Sequence, residues 1–191
     1  MLHNIKTTKL SLDEPTRKEL HQRYIAIDTE TTGLSKYNDR LVEIGAVIFE
    51  DGDPIDSFQT LINPRMHIPG CSTCVHGISD EMVKDAPFEE EAIRMFIDYI
   101  SSAFDEKTVF VGHNFSFDLG FLDEAFARSG LICDLRYIDT MYVTRKHFYL
   151  PNYRQTTVAE YLNIPTEGSH RADKDALICG EILSYLLDYL D

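Results

Sequence analysis

A chain of 191 residues, 43% apolar and 26% charged, has the make-up of one globular domain with room for a sizeable core. Its opening residues carry no apolar run of signal-peptide length, and no stretch reaches the ~18 apolar residues of a membrane helix, so secretion and membrane spanning are not expected. Four scattered cysteines make no disulfide framework and fit a reducing cytoplasm, while a formal charge of −14 argues against non-specific duplex binding, which depends on phosphate neutralisation by Lys and Arg.

Residues 1–22 are polar and mixed in charge and read as an extension or a short helix, leading into one domain over 23–191. Tyr24–Thr29 is the first strand. "LVEIGAVIFE" and "IDSFQTLINP" follow it, joined at Asp51-Gly52 by a hairpin signal, which predicts an antiparallel three-strand meander. "CSTCVH" lacks the His directly after the second Cys that haem attachment needs, and a zinc site would need a second close ligand pair, so Cys71 and Cys74 read as loop or structural residues. "ISDEMVKDA" and "PFEEEAIRMFIDYISS" read as helices, the second with Pro87 and acids at its start and Ile93, Phe96, Ile97 and Ile100 on one stripe. After a buried strand at 108–112 comes a helix stopped by Gly130, then a strand near "LRYIDT". Short helices near 141–147 and 157–162 precede a long apolar helix over 171–189. The pattern predicts an α/β fold, a mixed five-stranded sheet with helices on both faces.

"IDTETTGL" poses a chemical problem. Asp28 and Glu30 end a buried strand and point to the same side, where two like charges repel unless a cation or a shared proton intervenes. Asp118 in "VGHNFSFD" follows a strand-to-helix junction. Asp175 in "HRADKDA" lies early in the last helix, with His170 just before it. Each acid by itself is most often a solvated surface group or cap, but sites in α/β sheets collect at strand carboxyl ends and helix starts. Four carboxylates suit hard ions, Mg²⁺ or Mn²⁺, and can hold two of them, while a nearby histidine can take a proton from water. The residues point to metal-assisted hydrolysis of a phosphoester.

"IDTETTGL", "VGHNFSFDLGFL" and "HRADKDA", in that order, resemble the three motifs of the DnaQ-like 3′→5′ exonuclease superfamily, which includes the proofreading epsilon subunit of bacterial DNA polymerase III. The resemblance covers roughly 22–190 and implies a ribonuclease-H-like, three-layer fold that releases 5′-mononucleotides with two Mg²⁺ or Mn²⁺ ions. By that resemblance Asp28, Glu30, Asp118 and Asp175 are the ligands and His170 the general base. Thr31, Thr32, Gly33 and Leu34 match the segment that receives the terminal nucleotide, with Gly33 letting the backbone approach the sugar. His76, Asn114 and Phe117 match further nucleotide contacts or serve structure. His113 reads as structural. Asp173 stands where the family has an apolar residue, and the spacing from His170 favours Asp175 over it as ligand.

The acidity is uneven. Seven acids against Lys84 and Arg94 over 79–98 make a solvated face. From Thr140 to Ala159 no acid occurs, and Arg145, Lys146 and Arg154 interleave with Tyr142, Phe148, Tyr149 and Tyr153. That stretch reads either as a surface for single-stranded nucleic acid or as a loop whose aromatics belong to the core. The expected substrate is a single-stranded or frayed 3′ end of DNA. Alternatives are an RNA exonuclease of the same superfamily and a subunit that docks on a DNA polymerase or sliding clamp. The chain stops at Asp191 directly after the last helix, so no docking tail is expected, and "QTTVAEYL", loosely like a clamp-binding peptide, reads as an internal helix.

Overall fold

The computed structural model describes residues 5–101 and 108–191. Its strands are β1 (Ile5–Lys9), β2 (Arg23–Thr31), β3 (Leu41–Glu50), β4 (Asp53–Leu61), β5 (Val109–Gly112) and β6 (Cys133–Asp139). The helices are α1 (Glu14–Gln22), α2 (Gly70–His76), α3 (Asp80–Val83), α4 (Glu89–Ser101), α5 (Ser116–Ser129), α6 (Thr140–His147), α7 (Gln155–Tyr161) and α8 (Ala172–Leu190). One six-stranded sheet runs β1-β6-β5-β2-β3-β4, antiparallel from β2 to β4 and parallel from β1 to β2.

Alternation along β2 assigns the two faces. Ile25 and Ile27 face a core built with Ile93 and Phe96 of α4 and Leu122 and Phe126 of α5. Tyr24 and Ala26 face the other core, with Ile182, Leu183 and Leu186 of α8. Tyr24 stacks on Phe49 at 4.8 Å, and its hydroxyl donates to the Gly180 carbonyl at 2.9 Å. The helix lies unusually close to the sheet here, because a Cβ on Gly45 would meet the Ala172 carbonyl carbon at 2.1 Å. Between β3 and β4, Asp51 and Gly52 both adopt positive φ, as a two-residue hairpin requires.

Two expectations change. The sheet has six strands rather than five, because part of the expected extension forms β1, paired in parallel with β6. Only Ile5 of "IKTTK" is buried, so this edge strand lacks the apolar alternation that marks the others. "GCSTCVH" is a helical turn, α2, rather than a loop. Residues 1–4 of the expected extension and residue 102 of the expected helix lie outside the described residues.

Candidate active site

The face that carries Tyr24 and Ala26 continues to Asp28 and Glu30, so both acids point toward the start of α8. Asp28 pairs with Gly45 in the β2–β3 register, and it is Gly45 that admits the first residues of α8 onto the sheet. Asp175, in the first turn of α8, therefore stands over both. Oxygen atoms of Asp28, Glu30 and Asp175 all lie within 4.8 Å of one another. Asp173, two residues earlier, turns instead toward β4, lining a hollow with Pro54 and Ser57 and pairing with Lys174 at 3.3 Å.

Asp118 is buried beside this group but does not belong to the 4.8 Å cluster. Its Oδ1 accepts from the Thr29 backbone N–H at 3.1 Å and the Thr29 hydroxyl at 2.6 Å, which ties the start of α5 to β2. His170 is exposed, with left-handed backbone at φ 68°, and its N–H donates to Asp175 Oδ2 at 2.9 Å. Gln155 Nε2 donates to the Asp175 carbonyl oxygen at 2.9 Å.

Sequence reasoning missed Glu43. It pairs with Glu30 in the register, is fully buried, and accepts from Arg171 and from the Ala172 N–H at 2.8 Å. A lone acid in the otherwise apolar run "LVEIGAVIF" was the available signal, since a buried carboxylate needs a partner.

The carboxylates raise one another. Burial, then the charges of Asp118, Asp175, Glu30 and Glu43, holds Asp28 well above the usual range. Burial first, and then Asp175, Glu43 and Asp118, pushes Glu30 up to about 8. Burial lifts Asp118 to about 7 against its bonds from Thr29, and burial raises Asp175 against its bond from His170. A divalent cation among these oxygens inverts that balance. The all-oxygen donor set fits Mg²⁺ or Mn²⁺ and not the softer metals.

A family model for exonucleases, RNase_T, matches residues 25–183. The chain belongs to that exonuclease family. It is 36% identical over 173 residues to a PolC-type DNA polymerase III of Caldanaerobacter subterraneus subsp. tengcongensis, covering 90% of this chain and 12% of that protein. It is likewise 36% identical to the 3′-5′ exonuclease DinG of Bacillus subtilis, covering 88% of this chain and 18% of DinG. The chain thus spans under a fifth of either relative. Exonuclease X, solved in complex with 5′ overhanging duplex DNA, superposes with a TM-score of 0.69 at 26% identity, covering 87% of this chain and 92% of that one. E. coli exonuclease I, solved with a dT13 oligonucleotide, shares the fold with a TM-score of 0.73 at 19% identity, covering 88% of this chain and 43% of that one. These matches place the chain in the DnaQ-like 3′→5′ exonuclease superfamily, on a ribonuclease-H-like fold.

The remaining candidate residues lie around the acidic cluster and in the loops that follow β2 and β5. Leu34 projects with 88% of its surface exposed. The preceding turn is internally committed: Thr31 Oγ1 donates to the Gly33 carbonyl at 2.6 Å, and the buried Thr32 hydroxyl accepts from Arg40 N–H at 3.0 Å. A Cβ on Gly33 would strike the Asp39 carboxylate at 2.5 Å, so the missing side chain makes room for Asp39, whose Oδ2 accepts from Ser35 N–H at 2.9 Å. His76 is buried; its Nδ1 accepts from Ile78 N–H at 3.0 Å, and its Nε2 has no hydrogen-bond partner among the described residues. Asn114 is exposed with φ 60°, and the half-buried Phe117 packs 5.1 Å from Phe121. His113 spends one ring nitrogen on Thr140 and the other on the Tyr153 carbonyl, a structural role. "QTTVAEY" is α7, an internal helix as expected, with Val158 and the following Leu162 in the core. Among the described residues no helix is long and apolar enough to cross a membrane.

Proposed function

We propose that this domain hydrolyses the terminal phosphodiester at a single-stranded or frayed 3′ end of DNA, releasing 5′-mononucleotides. The observation that carries the reading is the convergence of Asp28, Glu30 and Asp175 within 4.8 Å, with Asp118 behind them and every one of the four shifted toward protonation. These four residues would hold two Mg²⁺ or Mn²⁺ ions. Ions bound there supply positive charge to the reacting phosphodiester and promote ionisation of water. His170, exposed at the mouth of the cluster, takes a proton from the attacking water at an imidazole nitrogen. Leu34 packs on the terminal base, the exposed Asn114 side chain contacts the terminal nucleotide, and the buried His76 imidazole supports that contact surface from behind. Thr31, Thr32 and Gly33 build the turn that presents Leu34, and Phe117 backs the site.

Similarity to PolC-type polymerases favours one setting, a strand end delivered by a polymerase as in proofreading. The deciding experiment follows end-labelled single-stranded DNA, 3′-mismatched duplex and matched RNA side by side, with Mg²⁺, with Mn²⁺ and with chelator. Stepwise loss of 3′ nucleotides from the first two substrates, abolished by chelator, is the expected result. Preferential degradation of RNA would move the domain to the RNA branch, and activity that persists in chelator would overturn the metal site.

A further inference from the structure

With so acidic a chain, the location of cations that lack acid partners is informative. Helix α6 begins at the carboxyl edge of the sheet, where Asp139 pairs with Gly112 in the β5–β6 register and caps the helix. From there to Ala159 no acid occurs. Arg145, Lys146 and Arg154 form no ion pair among the described residues. Lys146 and Lys9 place their ammonium groups 4.4 and 4.1 Å from the centre of the Tyr142 ring, and Arg145 stands 5.2 Å from that of Tyr153. The aromatics divide between two roles. Phe148 and Tyr153 pack against the core, whereas Tyr142 is 45% and Tyr149 99% exposed. Of the bordering acids, Asp139 caps α6 and lies 3.9 Å from the Lys9 ammonium, and Asp13 caps α1. The strip also reaches the active site, because Gln155, next to Arg154, holds Asp175, and His113 bridges Thr140 to the Tyr153 carbonyl.

We propose that α6 and the loop into α7 form a track for single-stranded nucleic acid upstream of the scissile end. Arg145, Lys146 and Arg154 take backbone phosphates there, and the face of Tyr149 takes a base. The inference rests on the nuclease reading above and extends it from the reacting terminus to the strand behind it.

The test compares the intact chain with the Arg145→Gln/Lys146→Gln and Tyr149→Ala variants on two substrates in Mn²⁺. One is a single-stranded oligonucleotide long enough to cross the strip; the other is the p-nitrophenyl ester of thymidine 5′-monophosphate, which reaches only the active site. The double variant is expected to raise KM for the oligonucleotide about tenfold and to lower its log–log salt slope by about 1.4, as for two lost phosphate contacts on a single strand. Oligonucleotide kcat and hydrolysis of the small ester should stay as in the unsubstituted chain. Tyr149→Ala should raise the same KM without changing the slope. An unchanged KM and slope in the double variant overturns the track. A parallel loss on both substrates also overturns it, because the effect then lies at the reacting end. If the unsubstituted chain cleaves neither substrate, the nuclease reading itself fails.

Discussion

Glu43 and Arg171 join the middle of the sheet to the start of α8: the guanidinium reaches both carboxylate oxygens, and Nη2 lies 2.5 Å from Oε1. The Glu43 side chain has no exposed surface, while that of Arg171 is 37% exposed. The same carboxylate accepts the Ala172 N–H, so it also stabilises the amino end of the helix. Removing one member of a buried pair leaves the other uncompensated. Breaking such a pair costs about 3–5 kcal/mol; because Arg171 can partly resolvate, Glu43→Ala is expected near the low end, about 3 kcal/mol of lost stability by urea unfolding. Activity should fall with it, since His170 and Asp175 flank the anchored turn. Glu43→Gln, which can still accept from Ala172, should be milder on both measures. A loss below about 0.5 kcal/mol for Glu43→Ala, the ordinary surface range, would dismiss the anchor.

The raised carboxylates give the metal-free protein a pH dependence of definite sign. Glu30 stands at about 8 and Asp118 at about 7, against ordinary values of 4.5 and 3.8. Across that window the folded state holds protons that the unfolded chain has released. Their contribution to stability is therefore full below the unfolded values and is lost as pH rises through 7 to 8. Asp13, Asp80 and Asp191 are shifted downward by hydrogen bonds, so their opposite effect falls in a more acidic range, while His76 and His113, shifted downward from 6.5 by burial, oppose the fall up to about pH 6.5. In chelator, Tm by scanning calorimetry should therefore fall between about pH 6.5 and pH 8. Mn²⁺ should restore it, and by more at the higher pH, because it binds the folded state only. A Tm that is flat across this range and indifferent to Mn²⁺ would remove the cation site.

Asp28 carries the heaviest burden of like charge, so neutralising it separates stability from function. Asp28→Asn relieves repulsion from Asp118, Asp175 and Glu30. The metal-free variant should melt higher than the parent near pH 8, yet lose nuclease activity and most of the Mn²⁺ stabilisation, the trade expected of a strained functional site. A lower Tm in chelator would show that the Asp28 charge stabilises the fold.

The strands and helices that bury an alternating or periodic apolar face were legible, as were the acids that interrupt them: Asp28 and Glu30 stand out because nothing in β2 explains a pair of carboxylates there. Hidden features were those whose cause lies elsewhere in the chain. Ile5–Lys9 becomes a strand because β6 has an open edge, not because its sequence alternates. Gly33 is small because Asp39 comes back to fill its side-chain space, and Gly45 because α8 lands on it. Glu43 could be suspected from its apolar neighbours, but its partner Arg171 lies 128 residues away. Asp118 could be singled out from its place after a strand-to-helix junction, whereas its bonds to Thr29 need the fold.

His170 offers a separation of backbone from side chain. Its N–H, and not its ring, donates to Asp175, and its φ of 68° is a conformation that Asn adopts far more readily than Ala. His170→Ala is expected to cut the exonuclease rate by about 10²–10⁴, the range for a lost general base. His170→Asn should lose the rate to the same degree while keeping the parent's Tm and its Mn²⁺-induced gain, because the turn and the Asp175 contact survive. Rates on single-stranded DNA and calorimetry with and without Mn²⁺ check both arms. If Asn restores the rate together with the stability, the histidine serves the turn and the proton acceptor must be sought in another group.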